Sequence, residues 1–145
     1  MSDKVLPDVD RVVSIPDAAL IKLAVGAARL LVQRSPSHLV VTLRAIRRRA
    51  APASYAEASR ALNEILSVSS FCRNGSACLP RSVATCLLCR SRGVWPTWST
   101  GVLRSPPFGA HAWVQVADQI VDEPLGIADY APLLTVGPLD SVVGP

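Results

Sequence analysis

The chain has 145 residues, of which 50% are hydrophobic and 18% are charged, with a formal net charge of +4 at pH 7. This length corresponds to one domain, or to one domain with a helical extension. Lys22 and Arg29 interrupt the most apolar stretch and the N-terminus has no signal-peptide pattern, so we expect a cytoplasmic protein without a membrane span.

Three amphipathic helices are predicted in the N-terminal half. Ser14 begins the first, which extends to about residue 33, and a second follows a short serine-proline run. Ser54 and Glu57 have the spacing of a capping box and begin the third. A short strand is expected at residues 11–13. The predicted apolar faces comprise Leu20, Leu23, Ala24, Ala27, Leu30 and Leu31 in the first helix, Leu39, Val40, Leu43 and Ile46 in the second, and Ala58, Ala61, Leu62, Ile65 and Leu66 in the third.

Arginines cluster at the end of the second predicted helix, at positions 44 and 47–49. Cations are favoured at helix C-termini, so a solvated helix end is the first interpretation, and a surface for an acidic peptide is the alternative. Neither interleaved aromatic residues nor a known reading motif accompanies these arginines, which argues against a nucleic-acid partner.

Four cysteines, Cys72, Cys78, Cys86 and Cys89, lie close together in the sequence. Without a secretory signal, a disulfide framework is not expected. Cys86 and Cys89 have CxxC spacing, but no second pair of metal ligands follows, so they are interpreted as small core residues rather than a zinc site. The three tryptophans are expected to pack in the sheet and the cleft.

Cys78 stands at the start of a fourth predicted helix, residues 78–92, directly after a turn-rich loop. Pro80 is tolerated in the first turn, and Gly93 ends the helix. Unpaired amides at a helix N-terminus stabilise a thiolate and lower its pKa, which would make Cys78 a nucleophile. The alternative is a buried structural cysteine, the commoner fate of this residue type.

After this helix the pattern changes to the two-residue period of strands. Strands are predicted at residues 96–103, 111–116 and 120–123, with a tight turn at 118–119 and a further short strand near 133–136. Helices followed by a small antiparallel sheet indicate an α+β fold.

His111 begins the second of these strands and is the better candidate for a base, because His38 lies in a helix with no acid or cysteine nearby. A packed or surface histidine is the alternative. The hairpin brings Asp122 and Glu123 opposite this part of the strand, where one of them can orient the imidazole. Strand alternation allows only one of the two on the His111 face, and the turn length decides which; otherwise both are exposed strand acids.

The order and spacing of these residues resemble the transglutaminase-like leader peptidases of lasso-peptide biosynthesis, in particular the stand-alone protease half of the split B protein. The resemblance covers about residues 55–125. It rests on CLPRS at 78–82, PTW at 96–98, GV at 101–102, PFGAHAWV at 107–114 and DEP at 122–124. Arg81 and Ser82, in the first of these segments, are expected to hold the helix start in place or to contact the substrate.

The resemblance implies a transglutaminase-like or papain-like core at residues 54–145, with a nucleophile at a helix N-terminus packed on a small sheet. Residues 1–53 would form an N-terminal helical region that docks a partner or the leader. It further implies that Cys78 is the nucleophile and His111 the base. The family places its acid about twelve residues after the histidine, at Glu123, where aspartate is more usual, and Asp122 is the usual residue type one position early. Both stay open, and the register of the family favours Glu123.

The implied reaction is hydrolytic removal of the leader from a ribosomally synthesised lasso-peptide precursor. A small leader-recognition protein and the ATP-dependent lasso cyclase are the implied partners. No cofactor is expected, because no metal or nucleotide motif is present. Two alternatives use the same residues differently: a non-catalytic transglutaminase-like module that binds peptide, and an acyltransferase with the same nucleophile.

Overall fold

The computed structural model describes residues 14–139 and confirms the α+β prediction. In this part of the chain a helical layer packs against a small antiparallel sheet. The helices are α1 (Ile15–Leu31), α2 (Pro36–Ile46), α3 (Tyr55–Val68) and α4 (Cys78–Ser91). The strands are β1 (Ala51–Pro52), β2 (Val94–Trp95), β3 (Thr97–Leu103), β4 (Ala110–Val116), β5 (Gln119–Ile120) and β6 (Tyr130–Val136).

Helix α1 begins where the sequence predicts, with the Ser14 hydroxyl accepting a hydrogen bond from the Asp17 amide at 3.4 Å. Its buried face matches the predicted one only in part: Ala24 is buried and Leu20 and Leu31 pack partly against the core. Leu23 and Leu30, in contrast, are 70% and 68% exposed. The helix is apolar on almost every side, so spacing alone could not decide which face turns inward. The face that packs inward is formed by Ile21, Ala24, Val25 and Ala28.

Helices α2 and α3 bury the predicted faces, apart from a half-buried Ile46. The capping box of α3 is present, with the Glu57 amide bonded to the Ser54 hydroxyl and the Ser54 amide bonded to the Glu57 carboxylate. Glu64 is an addition that the pattern did not predict: it is 2% exposed and pairs with Arg92 through two contacts of 2.8 and 3.1 Å.

Helix α4 lies at the centre of the fold, in contact with α1, α3 and the sheet. Its inward side chains include Val83, Ala84, Cys86 and Leu88, all fully buried. Gly93 follows the helix with a φ of +84°, a left-handed conformation that favours glycine and ends the helix as predicted. The chain then enters β2, which pairs in parallel with β1, and neither of these two-residue strands is among the predicted elements.

The four-stranded sheet has the order β5-β4-β3-β6, with antiparallel neighbours. The β4–β5 turn is formed by Ala117 and Asp118, one residue earlier than predicted. Strand β5 is shorter than the predicted strand at 120–123, and β6 is longer than the predicted one at 133–136. Because β5 ends at Ile120, Asp122 and Glu123 lie beyond the strand and not within it.

The helices and the sheet share one hydrophobic cluster that includes Ile21 of α1, Leu43 of α2 and Trp98 of β3. The division into a region before residue 54 and a core after it stays a prediction. The strand predicted at residues 11–13 lies outside the described residues. Within 14–139, no helix has the length and apolar character that a bilayer span requires.

Candidate active site

Cys78 is the first residue of α4, and its N-cap, Ala77, supplies no side-chain hydrogen bond to the helix. Pro80 has no amide to donate, and the Arg81 amide binds the Ala77 carbonyl at 2.9 Å. The amides of Cys78 and Leu79 therefore have no partner within the helix, which leaves positive electrostatic potential beside the thiol.

The loop before α4 is held by the helix itself. Nη1 of Arg81 donates to the carbonyl oxygens of Cys72 at 3.0 Å and Asn74 at 3.2 Å. Ser82 is buried, and its hydroxyl accepts a hydrogen bond from the Trp98 indole at 3.1 Å. Both side chains thus fix the start of α4 relative to the loop and the sheet.

His111 lies on β4 opposite Gly101 of β3, and its side chain reaches both Cys78 and Glu123. Its Nε2 atom is 2.7 Å from Oε1 of Glu123. Since Nε2 is occupied by the carboxylate, Nδ1 is the ring nitrogen available to the thiol. The backbone of Ala112 also hydrogen-bonds Cys78. Hydrogen bonds thereby connect the thiol to the imidazole and the imidazole to the carboxylate.

Glu123 reaches His111, and Asp122 does not. The β4–β5 register continues through a bond of 2.9 Å from the Val121 amide to the Val114 carbonyl. A regular strand extended further would place Asp122, not Glu123, on the His111 face. Instead β5 ends at Ile120, and Asp122, with a φ of +53° in the left-handed region, redirects the chain so that Glu123 reaches the imidazole.

The imidazole stacks with two aromatic rings. Its centroid lies 6.0 Å from that of Trp113 and 5.4 Å from that of Tyr130, and these two rings stack on each other at 4.8 Å. Trp113 and Tyr130 are 1% and 5% exposed. The stack restricts the orientation of the His111 ring and presents π faces that favour its protonated form.

Burial alone would raise the pKa of the Cys78 thiol, but hydrogen bonds from His111 and the Ala112 backbone, with the charges of His111 and Arg81, lower it overall. Burial alone would lower the pKa of His111, whereas its bonds to Cys78 and Glu123 and their negative charges raise it to about 9. Each shift favours the charged form, so the contacts stabilise Cys78 as a thiolate and His111 as an imidazolium.

The pKa values of the other three cysteines are shifted in the opposite direction to that of Cys78. Cys72, Cys86 and Cys89 are free thiols with exposures of 0%, 0% and 1%, and burial raises the pKa of each. Among residues 14–139, no group of three or more histidines, cysteines and acids is placed to hold a metal ion. All three tryptophans are buried, as predicted.

Residues 21–135 match the profile of the transglutaminase-like superfamily. The chain belongs to this superfamily. Its members are commonly cysteine-dependent enzymes and include cysteine proteases and acyltransferases. Searches of curated proteins and of solved structures returned no significant match.

Sequence reasoning missed three side chains at this transglutaminase-like site. Tyr130 stacks on His111 from β6, a segment in which only its last residues were predicted as a strand. Tyr55 and Ser59 of α3 bind Asp122. Their spacing of four places them on one helix face, but nothing in the sequence indicates which residue faces them.

Proposed function

We propose that this protein is a cysteine peptidase that removes the leader from a ribosomally synthesised lasso-peptide precursor. The observation that carries the proposal is the connected series Cys78, His111 and Glu123 at the uncapped N-terminus of α4. Membership of the transglutaminase-like superfamily supports a cysteine-dependent reaction. The ordered motifs shared with lasso leader peptidases support this particular substrate.

In the proposed reaction the Cys78 thiolate attacks the scissile carbonyl carbon. The carbonyl oxygen becomes an oxyanion, which the free amides at the start of α4 would stabilise. The His111 imidazolium gives its proton to the leaving amine, the C–N bond breaks, and an acyl-enzyme remains.

Neutral His111 then takes a proton from water, the resulting hydroxide displaces the thiolate, and the leader leaves as a free acid. Glu123 holds the ring in the productive orientation and stabilises its positive charge. These steps need no cofactor.

The test is cleavage of a purified precursor peptide, followed by mass spectrometry, with the wild type and a Cys78→Ala variant. We expect the variant to lose essentially all activity, since the nucleophile is absent. A Cys86→Ala variant is the matched control, because it removes a buried thiol outside the site. Cleavage that continues in Cys78→Ala would overturn the peptidase proposal.

The mass of the acyl fragment separates hydrolysis from acyl transfer. Hydrolysis gives a fragment with a free carboxylate, whereas transfer gives a fragment that carries the added amine. A product of the second kind would identify the protein as an acyltransferase using the same nucleophile. Tight precursor binding without any product would identify a peptide-binding module.

We further propose that the exposed face of α1 binds the small leader-recognition protein. Ile15, Leu23 and Leu30 are 87%, 70% and 68% exposed, and apolar side chains exposed along one helix are suited to a protein contact. Arginines at the end of α2, among them exposed Arg44 and Arg48, could add contacts to acidic groups. The ATP-dependent cyclase would act on the freed core peptide.

The partner proposal predicts that Leu23→Glu and Leu30→Glu reduce stimulation of cleavage by the recognition protein, while cleavage without it is unchanged. Val41→Glu is the matched control, since Val41 is 63% exposed but lies on α2. Equal stimulation of all these variants and the wild type would contradict the assignment of the α1 face.

A further inference from the structure

Tyr55 and Ser59, on the first turns of α3, form hydrogen bonds with Asp122, the residue that precedes Glu123. The Asp122 amide donates to the Tyr55 hydroxyl at 2.9 Å, and that hydroxyl donates to Oδ1 of Asp122 at 3.2 Å. The Ser59 hydroxyl donates to Oδ2 at 2.6 Å. We call Tyr55 and Ser59, the two residues that bind Asp122, the Asp122 clamp.

Asp122 needs such support because of its backbone conformation. Its φ of +53° lies in the left-handed region, which L-residues other than glycine adopt at a steric cost and aspartate tolerates better than most. Conformations of this kind persist where the surroundings over-determine them. Here three hydrogen bonds from one helix fix both the amide and the carboxylate of a single residue.

The conformation of Asp122 decides which acid faces the imidazole. If Asp122 were extended, β5 would continue along β4 and Glu123 would fall on the face opposite His111. With Asp122 held in the left-handed region, Oε1 of Glu123 lies 2.7 Å from Nε2 of His111.

We propose that Tyr55 and Ser59 are positioning residues that act through Asp122 to place the Glu123 carboxylate on His111. This inference deepens the proposed function, because it concerns the same three-residue site. Helix α3 thereby contributes to the site through its contacts with Asp122. Its own N-terminus is fixed by the Ser54–Glu57 capping box, which keeps the two clamp side chains in register.

The test compares wild type with Tyr55→Phe, Ser59→Ala and the double variant. Thr135→Val is the matched control, because it removes a hydroxyl contact with Ser99 in the same sheet, away from His111. The titration of His111 is followed by NMR. The titratable groups that face this imidazole are Cys78 from α4, Glu123 from the turn and Tyr130 from β6, and none of them is altered in these variants.

In the double variant we expect the pKa of His111 to fall from about 9 toward its ordinary value, because a displaced Glu123 no longer stabilises the imidazolium. Alkylation of Cys78 at neutral pH should slow, and kcat for precursor cleavage should fall about tenfold to a hundredfold with little change in KM. Thr135→Val should keep the wild-type titration even if it lowers the unfolding temperature.

Rescue separates positioning from general loss of structure. Asp122→Asn retains an acceptor and tolerates the left-handed conformation, so it should stay close to wild type, whereas Asp122→Ala should resemble the double variant. A His111 titration in the double variant that matches wild type and Thr135→Val would overturn the inference. NMR and alkylation require no precursor, so failure of wild-type protein to cleave the precursor would count against the proposed function alone.

Discussion

At the scale of single residues, the site depends on how three side chains share protons. Cys78 is partly buried and would by burial alone be a neutral thiol, yet its contacts with His111 and the Ala112 backbone lower its pKa. The pKa of His111 rises to about 9 because Cys78 and Glu123 both favour its charged form. The two shifts depend on each other, so a change at one residue alters the titration of the others.

Glu123→Gln should narrow the pH range of activity. His111 has a raised pKa in the folded protein, so the wild type keeps the imidazolium up to about pH 9 and loses it above. Without the carboxylate charge the pKa falls, and the basic limb of the kcat/KM profile moves to lower pH. At pH 8 we expect activity to fall about tenfold or more, and less at pH 6.

The control for this prediction is Asp118→Asn, which removes an acid from the turn of the same hairpin without touching His111. Its pH profile should match that of wild type. A Glu123→Gln profile with an unmoved basic limb would show that another group governs the titration of the imidazole.

At the scale of secondary-structure elements, the β3–β6 pair contains an irregularity on which the site depends. The register shifts between Thr100 and Gly101, and Gly101 is also the cross-strand neighbour of His111. A Cβ atom at Gly101 would collide with the Ala131 carbonyl oxygen and lie 3.0 Å from the Cα atom of Pro132. The two backbones approach this closely only because residue 101 has no side chain.

Gly101→Ala should therefore destabilise the protein by about 1–3 kcal/mol, the usual cost of forcing atoms into a packed region. Urea unfolding followed by circular dichroism measures the change. Gly26→Ala is the control, since nothing lies within 4 Å of a Cβ atom there and α1 should gain about 0.5–1 kcal/mol. Equal stability of Gly101→Ala and wild type would contradict the close approach of β3 and β6.

Most elements could be predicted from local patterns, because caps, proline positions and apolar periods are properties of neighbouring residues. The capping box at Ser54 and the position of Cys78 at a helix start are examples. The inward face of α1 could be predicted only in part, since its apolar side chains surround the helix and packing against α4 selects among them.

The candidate site likewise combines features that depend on neighbouring residues with features that depend on tertiary contacts. The sequence suggested Cys78, His111 and one acid of two, because their types and spacing carry that information. Placing Glu123 rather than Asp122 depends on a left-handed residue, and that conformation depends on contacts from a distant helix. Strand alternation with a two-residue turn places Asp122, not Glu123, on the His111 face. The preference for Glu123 therefore came from its spacing in the family resemblance.

At the scale of the whole molecule, helices and sheet are joined by polar contacts as well as by the core. Arg47 donates to the Gly137 carbonyl at 2.6 Å, and the Trp95 indole donates to the Val136 carbonyl at 3.1 Å. Arg90 donates to the Ile46 carbonyl at 2.7 Å. The first two bonds connect the end of α2 and strand β2 to the end of β6, and the third connects α4 to α2. We therefore expect the helical layer and the sheet to unfold together.

Loss of Arg92 from the Glu64–Arg92 pair should cost more than loss of the exposed Arg60, which contacts the same carboxylate. Arg92→Ala removes both hydrogen bonds that Arg92 donates to the Glu64 carboxylate, whose side chain is 3% exposed. We expect the free energy of unfolding to fall by about 1–3 kcal/mol. Arg60→Ala is the control, since Arg60 is 62% exposed and should contribute less than about 1 kcal/mol to the same carboxylate. Thermal unfolding compares them, and equal losses would contradict this ranking.

The four cysteines should differ in their rates of oxidation, because the pKa of Cys78 is lowered and those of the other three are raised. Hydrogen peroxide reacts with thiolates, so Cys78 should form a sulfenic acid well before the three buried thiols, whose pKa values are raised. Dimedone labelling located by tandem mass spectrometry should mark Cys78 first, and dithiothreitol should restore activity after brief exposure. Even labelling of all four would contradict this order. The contacts that lower the pKa of this thiol also make it the first target of peroxide, so the lifetime of the proposed activity depends on the surrounding reducing potential.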